Sequence, residues 1–271
     1  MTHPFDAGYT GSFRGLCEDY PGTETYPAEA FRTEWGPVFH RGRLDGSARV
    51  LVIGQDPAQH ETIARRILVG EAGHRFQGFL AKLGIDRSYV MINTFLYSVY
   101  GQGGGTKHQN DAGIIAYRNR WLDALMAGSN IELAISLGGL ADKAWTTWKA
   151  TASGAAANPA HAKITHPTQP ESSSKGNPAK RATAIRDMLQ NWNVALQALK
   201  PSLSHPDSPR ALTLYGDHFQ AGDLVDIPEA DLPAGSPPWM LGAANWATRT
   251  GSTAAAKRAA ITVTVPKAFR P

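Results

Sequence analysis

The sequence predicts an α/β protein: a three-layer α/β/α core around a central four-stranded parallel sheet, followed by an irregular C-terminal extension. Three observations carry this. Between residues 49 and 165 four short runs rich in apolar and β-branched residues recur. Stretches with apolar residues at helical spacing lie among them and after them, the alternation expected of parallel βαβ units. The runs are apolar at consecutive positions and not at every second one, which suits strands covered by helices on both faces.

The predicted strands are RVLVI (49–53), YVMI (89–92), ELAISL (132–137) and AKIT (162–165). A helix over 72–83 carries Phe76, Phe79, Leu80 and Leu83, and one over 111–127 carries Ile114, Ile115, Trp121, Leu122, Leu125 and Met126. A third over 180–199 places Ile185, Met188, Leu189, Trp192, Leu196 and Leu199 on one face until Pro201 stops it. Residues 201–271 then read as turns with strand-like pieces at ALTLY (211–215) and ITVTV (261–265). Tyr215, Phe219, Trp239 and Trp246 give that extension apolar mass for packing on the core. Gly103 to Gly105 and Ser172 to Ser174 read as mobile loops.

Composition excludes several classes. Hydrophobic residues make up 42% but come in short runs, so no membrane span is expected. The start MTHPFDAGYTG has neither a basic nor an apolar leader region, so the expected location is cytoplasmic. One cysteine, Cys17, allows no internal disulfide framework and too few thiolates for a zinc ribbon or an iron-sulfur cluster. The nine histidines are scattered without an HExxH pattern, so neither metal nor cofactor is expected. A net charge of +4, from 27 basic and 23 acidic residues, is compatible with a polyanionic partner and proves nothing alone. The expected oligomeric state is a monomer.

In an open α/β sheet, ligands bind beyond the carboxyl ends of the strands. GQDP (54–57) follows the first predicted strand, NTFLYSV opens at Asn93 after the second, and HPTQPESSSK opens at His166 after the fourth. A carboxylate, an amide and an imidazole therefore converge on one edge. The amide can read a hydrogen-bonding edge, since it both donates and accepts. Carboxylate and imidazole suit a reaction that develops opposite charges on two fragments.

These residues resemble the uracil-DNA glycosylase superfamily. GQDP is similar to the water-activating motif, NTFLYSV to the uracil-reading segment and HPT to the start of the second catalytic motif. RRILVGEAGHRFQGFLAKLGI (65–85) is closer to the iron-sulfur branch, where two motif glycines keep the separation of Gly54 and Gly70. The resemblance covers about residues 36–199. It implies a catalytic domain over 1–200, with 201–271 as an extension packed on it, and a monofunctional glycosylase that flips uracil out of DNA and leaves an abasic site. It further implies uracil-containing and abasic DNA as partners. Asp56 is the implied water-activating carboxylate, His166 the donor to uracil O2, and Asn93 the reader of N3–H and O4. Backbone amides around Gln55 would assist at O2.

Departures from the pattern affect base range. Ala58 stands where a tyrosine blocks the thymine methyl, with Gln59 or His60 as possible fillers. Leu68 stands where a phenylalanine stacks on uracil, with Phe76 a turn later as a substitute. The leucine wedge falls at Pro170, beside Gln169. Thr168 and the run Ser172, Ser173, Ser174 and Lys175 are expected to grip phosphates. His60 and Glu61 otherwise read as surface or loop residues. His108 occupies the loop in which one branch carries a histidine that bonds the abasic sugar, but the KRRIH-like signature is missing. Two other functions stay open: excision of hypoxanthine, xanthine or thymine, and low-turnover binding of lesions or abasic sites.

Overall fold

The computed structural model describes residues 6, 8–100, 105–242 and 245–270. The strands of the central sheet are β1 (Arg41–Gly42), β2 (Val50–Gly54), β3 (Tyr89–Asn93), β4 (Leu133–Leu137) and β5 (Ala160–Ile164), in the order β1-β3-β2-β4-β5. The four strands from β2 to β5 are parallel, as the sequence predicts. β1 is an additional antiparallel edge of two residues, too short to leave a pattern in the sequence.

The consecutive apolar positions now have their reason. Leu51 and Ile53 of β2 enter one core with Val90, Ile92, Trp121, Leu122 and Trp148. Val50 and Val52 enter the other, with Phe79, Leu83, Leu189 and Trp192. Side chains alternate across a strand, so a strand buried on both faces must be apolar throughout. Helices α1 (Gly11–Glu18), α4 (Ala112–Gly128) and α5 (Gly139–Lys149) cover the first face, and α3 (Glu71–Leu83) and α8 (Pro178–Leu199) the second. Three more short helices are α2 (Gln59–Ala64), α6 (Ala152–Ala156) and α7 (Gln169–Ser174). Among the described residues no helix is long and apolar enough to cross a membrane.

Some expectations need correction. Ser172 to Ser174 are not a loop: they close α7, which carries Pro170 in its first turn and is held by Glu171 in ion pairs with Arg75 and Arg181. The stretch 211–215 forms no strand. Its backbone pairs at Tyr215 with one side-chain amide, accepting from Asn193 Nδ2 at 2.9 Å and donating to Oδ1 at 2.8 Å. Of the 261–265 stretch, β7 (Ile261–Val263) pairs antiparallel with β6 (Ala247–Arg249), and α9 (Ala254–Ala259) lies between them. The predicted loop at 103–105 falls largely outside the described residues.

Beyond α8 the chain lies along α3 and the start of β3. The Asp207 carboxylate accepts from the backbone N–H groups of Asp86, Arg87 and Ser88 at 2.8, 2.8 and 2.9 Å. Asp231 is fully buried against Arg41, Arg43 and Tyr89, and Asp223 pairs with Lys82 at 2.8 Å.

Candidate active site

The turn after β2 and the segment after β3 stay side by side beyond the strands. Thr94 and Phe95 donate their N–H groups to the carbonyls of Gly54 and Gln55, both at 2.9 Å, continuing the ladder past the sheet. Gly54 has to be glycine, because a Cβ there would stand 2.3 Å from Asn93 Oδ1. Asn93 is thereby laid over the catalytic-type turn. Its Nδ2 is buried without a protein partner among the described residues, a donor aimed at nothing in the chain itself.

Asp56 follows on the same turn. Its Oδ2 accepts from the Val99 N–H at 3.1 Å, which fixes the carboxyl against the β3 segment. Burial pushes its pKa up to about 6, against the opposing pull of the Val99 bond, the Gln55 side chain and the Arg249 charge. At neutral pH the group is an anion poised to take a proton.

His166 follows β5 and Thr165. Its Nδ1 lies 3.3 Å from the Thr168 backbone N and 3.2 Å from Oγ1. A backbone N–H can only donate, so Nδ1 accepts and the proton sits on Nε2. Burial holds the pKa down to about 4, with Glu171 acting the other way. The imidazole is therefore neutral near pH 7 and offers one N–H.

Glu61, expected at the surface, is buried and organises the turn. Oε2 accepts from Ala58 N–H at 3.1 Å, and Oε1 from the N–H groups of Val69 and Gly70 at 3.1 and 3.3 Å. One carboxylate thus ties the start of α2 to the segment ending at Gly70. In that segment Leu68 adopts the left-handed region with φ +54°, a strained conformation for leucine. Gly73 allows it, since a Cβ there would come within 1.7 Å of Leu68 O. His60 is buried as well, edge-on to Trp246 with ring centroids 4.7 Å apart, and its Nε2 accepts from Ala247 N–H at 3.3 Å. Both residues sit inside α2, a helix too short to show helical periodicity, and that is why the sequence reading placed them outside.

Gln55, Asp56, Ala58, His60, Leu68, Asn93, His166 and Thr168 all line one cavity of about 810 Å³ at the carboxyl end of the sheet. Other expected residues do not. Phe76 is fully buried in the second core, stacked on Phe79 at 5.5 Å, because the helical face it shares with Phe79 and Leu80 turns to the sheet. His108 sits against Phe31 with its Nδ1 2.6 Å from Asp111 Oδ2, away from the cavity. Pro170 is buried at the first turn of α7, and Ser174 is buried with its hydroxyl donating to Glu171 O at 3.2 Å, so neither presents a surface to a ligand. Gln169, Ser172, Ser173 and Lys175 are exposed on α7 and at its end.

The sequence reading missed a second layer. Arg75 of α3, nearly buried, donates to Glu171 Oε1 and Oε2 at 2.9 and 3.0 Å and to Pro167 O at 2.5 Å, clamping the turn that carries His166. Burial of Glu171 is outweighed by Arg75 and Arg181, which bring its pKa down to about 2. Glu61 left a readable trace, a glutamate three residues after the helix-capping position. Arg75 and Glu171 are 96 residues apart and left none. Among the described residues no three His, Cys, Asp or Glu side chains gather as metal ligands.

The family model described as the uracil DNA glycosylase superfamily matches residues 41–193, more than half of the chain. The chain belongs to the uracil-DNA glycosylase superfamily. Membership assigns it to the DNA glycosylases, enzymes of base excision repair that act on DNA. The matched span of this glycosylase runs from β1 into α8 and contains Asp56, Asn93 and His166. No curated protein matches the chain.

Proposed function

We propose that the protein is a monofunctional uracil-DNA glycosylase. One observation carries the reading: an ionised carboxylate, an amide whose Nδ2 has no partner among the described residues and a neutral imidazole, each at or just beyond the carboxyl end of a different strand of one parallel sheet, line a single cleft. A base inside a duplex is out of reach of such a cleft, so the nucleotide has to be extruded.

With uracil seated, Asn93 Nδ2 donates to O4 and Oδ1 accepts from N3–H. Cytosine offers the reverse pattern and would leave the amide unpaired. As the C1′–N1 bond breaks, the electron pair leaves with the base and positive charge grows on the sugar. Asp56 lies near that cation, orients a water toward C1′ and takes its proton. Negative charge collects at uracil O2, where Nε2–H of His166 donates without having to lose its proton. Uracil and an abasic site are the products. Thr168 lines the cleft next to His166, and Gln169, Ser172, Ser173 and Lys175, exposed on α7 and at its end beside it, suit contacts to the DNA backbone.

A wider base range is the second reading, and Ala58 favours it: its methyl group is the only side chain at the cleft position where the resemblance expects a tyrosine. The test is cleavage of a labelled oligonucleotide with one uracil, single- and double-stranded, without added metal and followed by alkali. Strand breaks that vanish in Asp56→Asn are expected. No breaks at uracil, with breaks at thymine, hypoxanthine or xanthine, would replace the substrate; binding of abasic DNA without any cleavage would replace the function.

A further inference from the structure

The cleft is not walled by the sheet's own loops alone. Phe219, Asn245 and Arg249, all beyond α8, line it together with Asp56. The segment that brings them is fastened twice along its course, by Asp207 on the backbone before β3 and by Asp231 buried against Arg41, Arg43 and Tyr89. Trp246 is buried in a small core with Ala64, Val69, Ile227 and Leu232, and the next residue, Ala247, bonds His60 of α2. β6 therefore starts locked onto the helix that follows the Asp56 turn. Its ladder with β7 sets Ala247 opposite Val263 and Arg249 opposite Ile261, so the position of Arg249 is determined to within its own side-chain rotamers.

The charges around it are accounted for except its own. Arg75 and Arg181 are spent on Glu171 and Glu71, and Glu61 on three backbone N–H groups. Arg249 is exposed and makes no hydrogen bond or ion pair with another described residue, although its charge reaches the Asp56 carboxyl. A polyanion approaching this cleft meets the Asp56 carboxylate, which repels it, and the Arg249 guanidinium at the rim offsets that repulsion. The planar fork of arginine matches two phosphate oxygens.

We infer that Arg249 binds a DNA backbone phosphate adjoining the nucleotide in the cleft, which makes the β6–β7 hairpin of the C-terminal extension part of the DNA-binding surface. The inference deepens the glycosylase reading and uses it only for the identity of the ligand. Bound this way, the phosphate fixes the strand while the sheet-end residues act on the base.

The test measures binding of a duplex carrying a tetrahydrofuran abasic analogue across a salt series, with the full chain. Arg249→Ala is expected to weaken binding about five- to tenfold and to make the slope of log K against log[salt] shallower by about 0.9, one phosphate's worth. Arg249→Lys keeps the slope. Arg14→Ala removes an equal charge outside the cleft, where Arg14 pairs with Glu18 at 2.8 Å on α1, and leaves the slope unchanged. Replacing the flanking phosphates one at a time by neutral methylphosphonates locates the contact: at one of them wild type and Arg249→Ala become equal. An unchanged slope in Arg249→Ala, an equal change in Arg14→Ala, or a defect that survives neutralisation of every flanking phosphate overturns the inference. If the wild type releases no uracil while the slope still depends on residue 249, the functional reading falls and this inference stands. If uracil is released and binding ignores residue 249, this inference falls alone.

Discussion

Replacing Asp56 by asparagine should remove activity and at the same time stabilise the fold at alkaline pH. The carboxyl is largely, not wholly, withdrawn from water in the cleft and receives a single backbone N–H in return, from Val99. Its pKa rises from 3.8 to about 6, which corresponds to about 3 kcal/mol disfavouring the carboxylate in the folded state. A carboxyl with a folded pKa above its unfolded value binds more protons folded than unfolded. Stability then falls as pH rises from about 4 to about 6 and stays at the lower level above that. Asparagine keeps an acceptor for Val99 and carries no charge, so Asp56→Asn should gain between about 1 and 3 kcal/mol at pH 8, or about 2–4 °C in Tm per kcal/mol. At pH 4.5 the folded carboxyl is largely protonated and the gain should shrink to about a third of its value at pH 8. Urea unfolding of both proteins at the two pH values measures the difference directly. Asp56→Asn less stable than wild type at pH 8, or equally stabilised at both values, would refute the placement of a desolvated carboxylate here. In the wild type the same ionisation should appear as a rise in kcat/KM centred near pH 6, with the slope of one proton.

Three further outcomes are expected. His166 should act as a neutral donor, its pKa being about 4, so activity between pH 7 and 8 should show no histidine limb, and His166→Ala should lower single-turnover cleavage by about 10²–10³-fold. Glu61→Ala strips the acceptor from the N–H groups of Ala58, Val69 and Gly70, and thermal unfolding should show a loss of about 3 kcal/mol or more, with Glu61→Gln recovering part of it. Arg75→Met leaves Glu171 with Arg181 alone and frees the Pro167 carbonyl, for a loss of about 3 kcal/mol in urea titrations at pH 7. Because the Glu171 pKa is lowered to about 2, its stabilisation is complete above about pH 4.5 and disappears as pH falls toward 2, so the difference between Arg75→Met and wild type should shrink over that range.

The strands and the long helices were legible because local pattern and burial agree in them. RVLVI after its first residue, YVMI throughout and ELAISL apart from Glu132 and Ser136 are apolar at consecutive positions since each of these strands is covered on both faces, and their order along the chain determined that Asp56, Asn93 and His166 would emerge on one edge of a parallel sheet. No local pattern reports what meets across the fold. His60 and Glu61 look polar and therefore exposed; the contacts that bury them come from Val69, Gly70 and Ala247, and the last is 187 residues from His60. Phe76 and Leu68 are both apolar and eight positions apart, yet α3 turns Phe76 into the core while a left-handed backbone leaves Leu68 on the cleft. The reach of the C-terminal extension into the cleft is of the same kind: Arg249 sits in an ordinary short strand until Trp246 and Ala247 dock it on α2. Sequence alone determined which chemical groups this protein carries at its strand ends. Tertiary structure alone decided their protonation, their orientation and the company they keep, because desolvation and long-range hydrogen bonds depend on distances that neighbours in sequence do not encode.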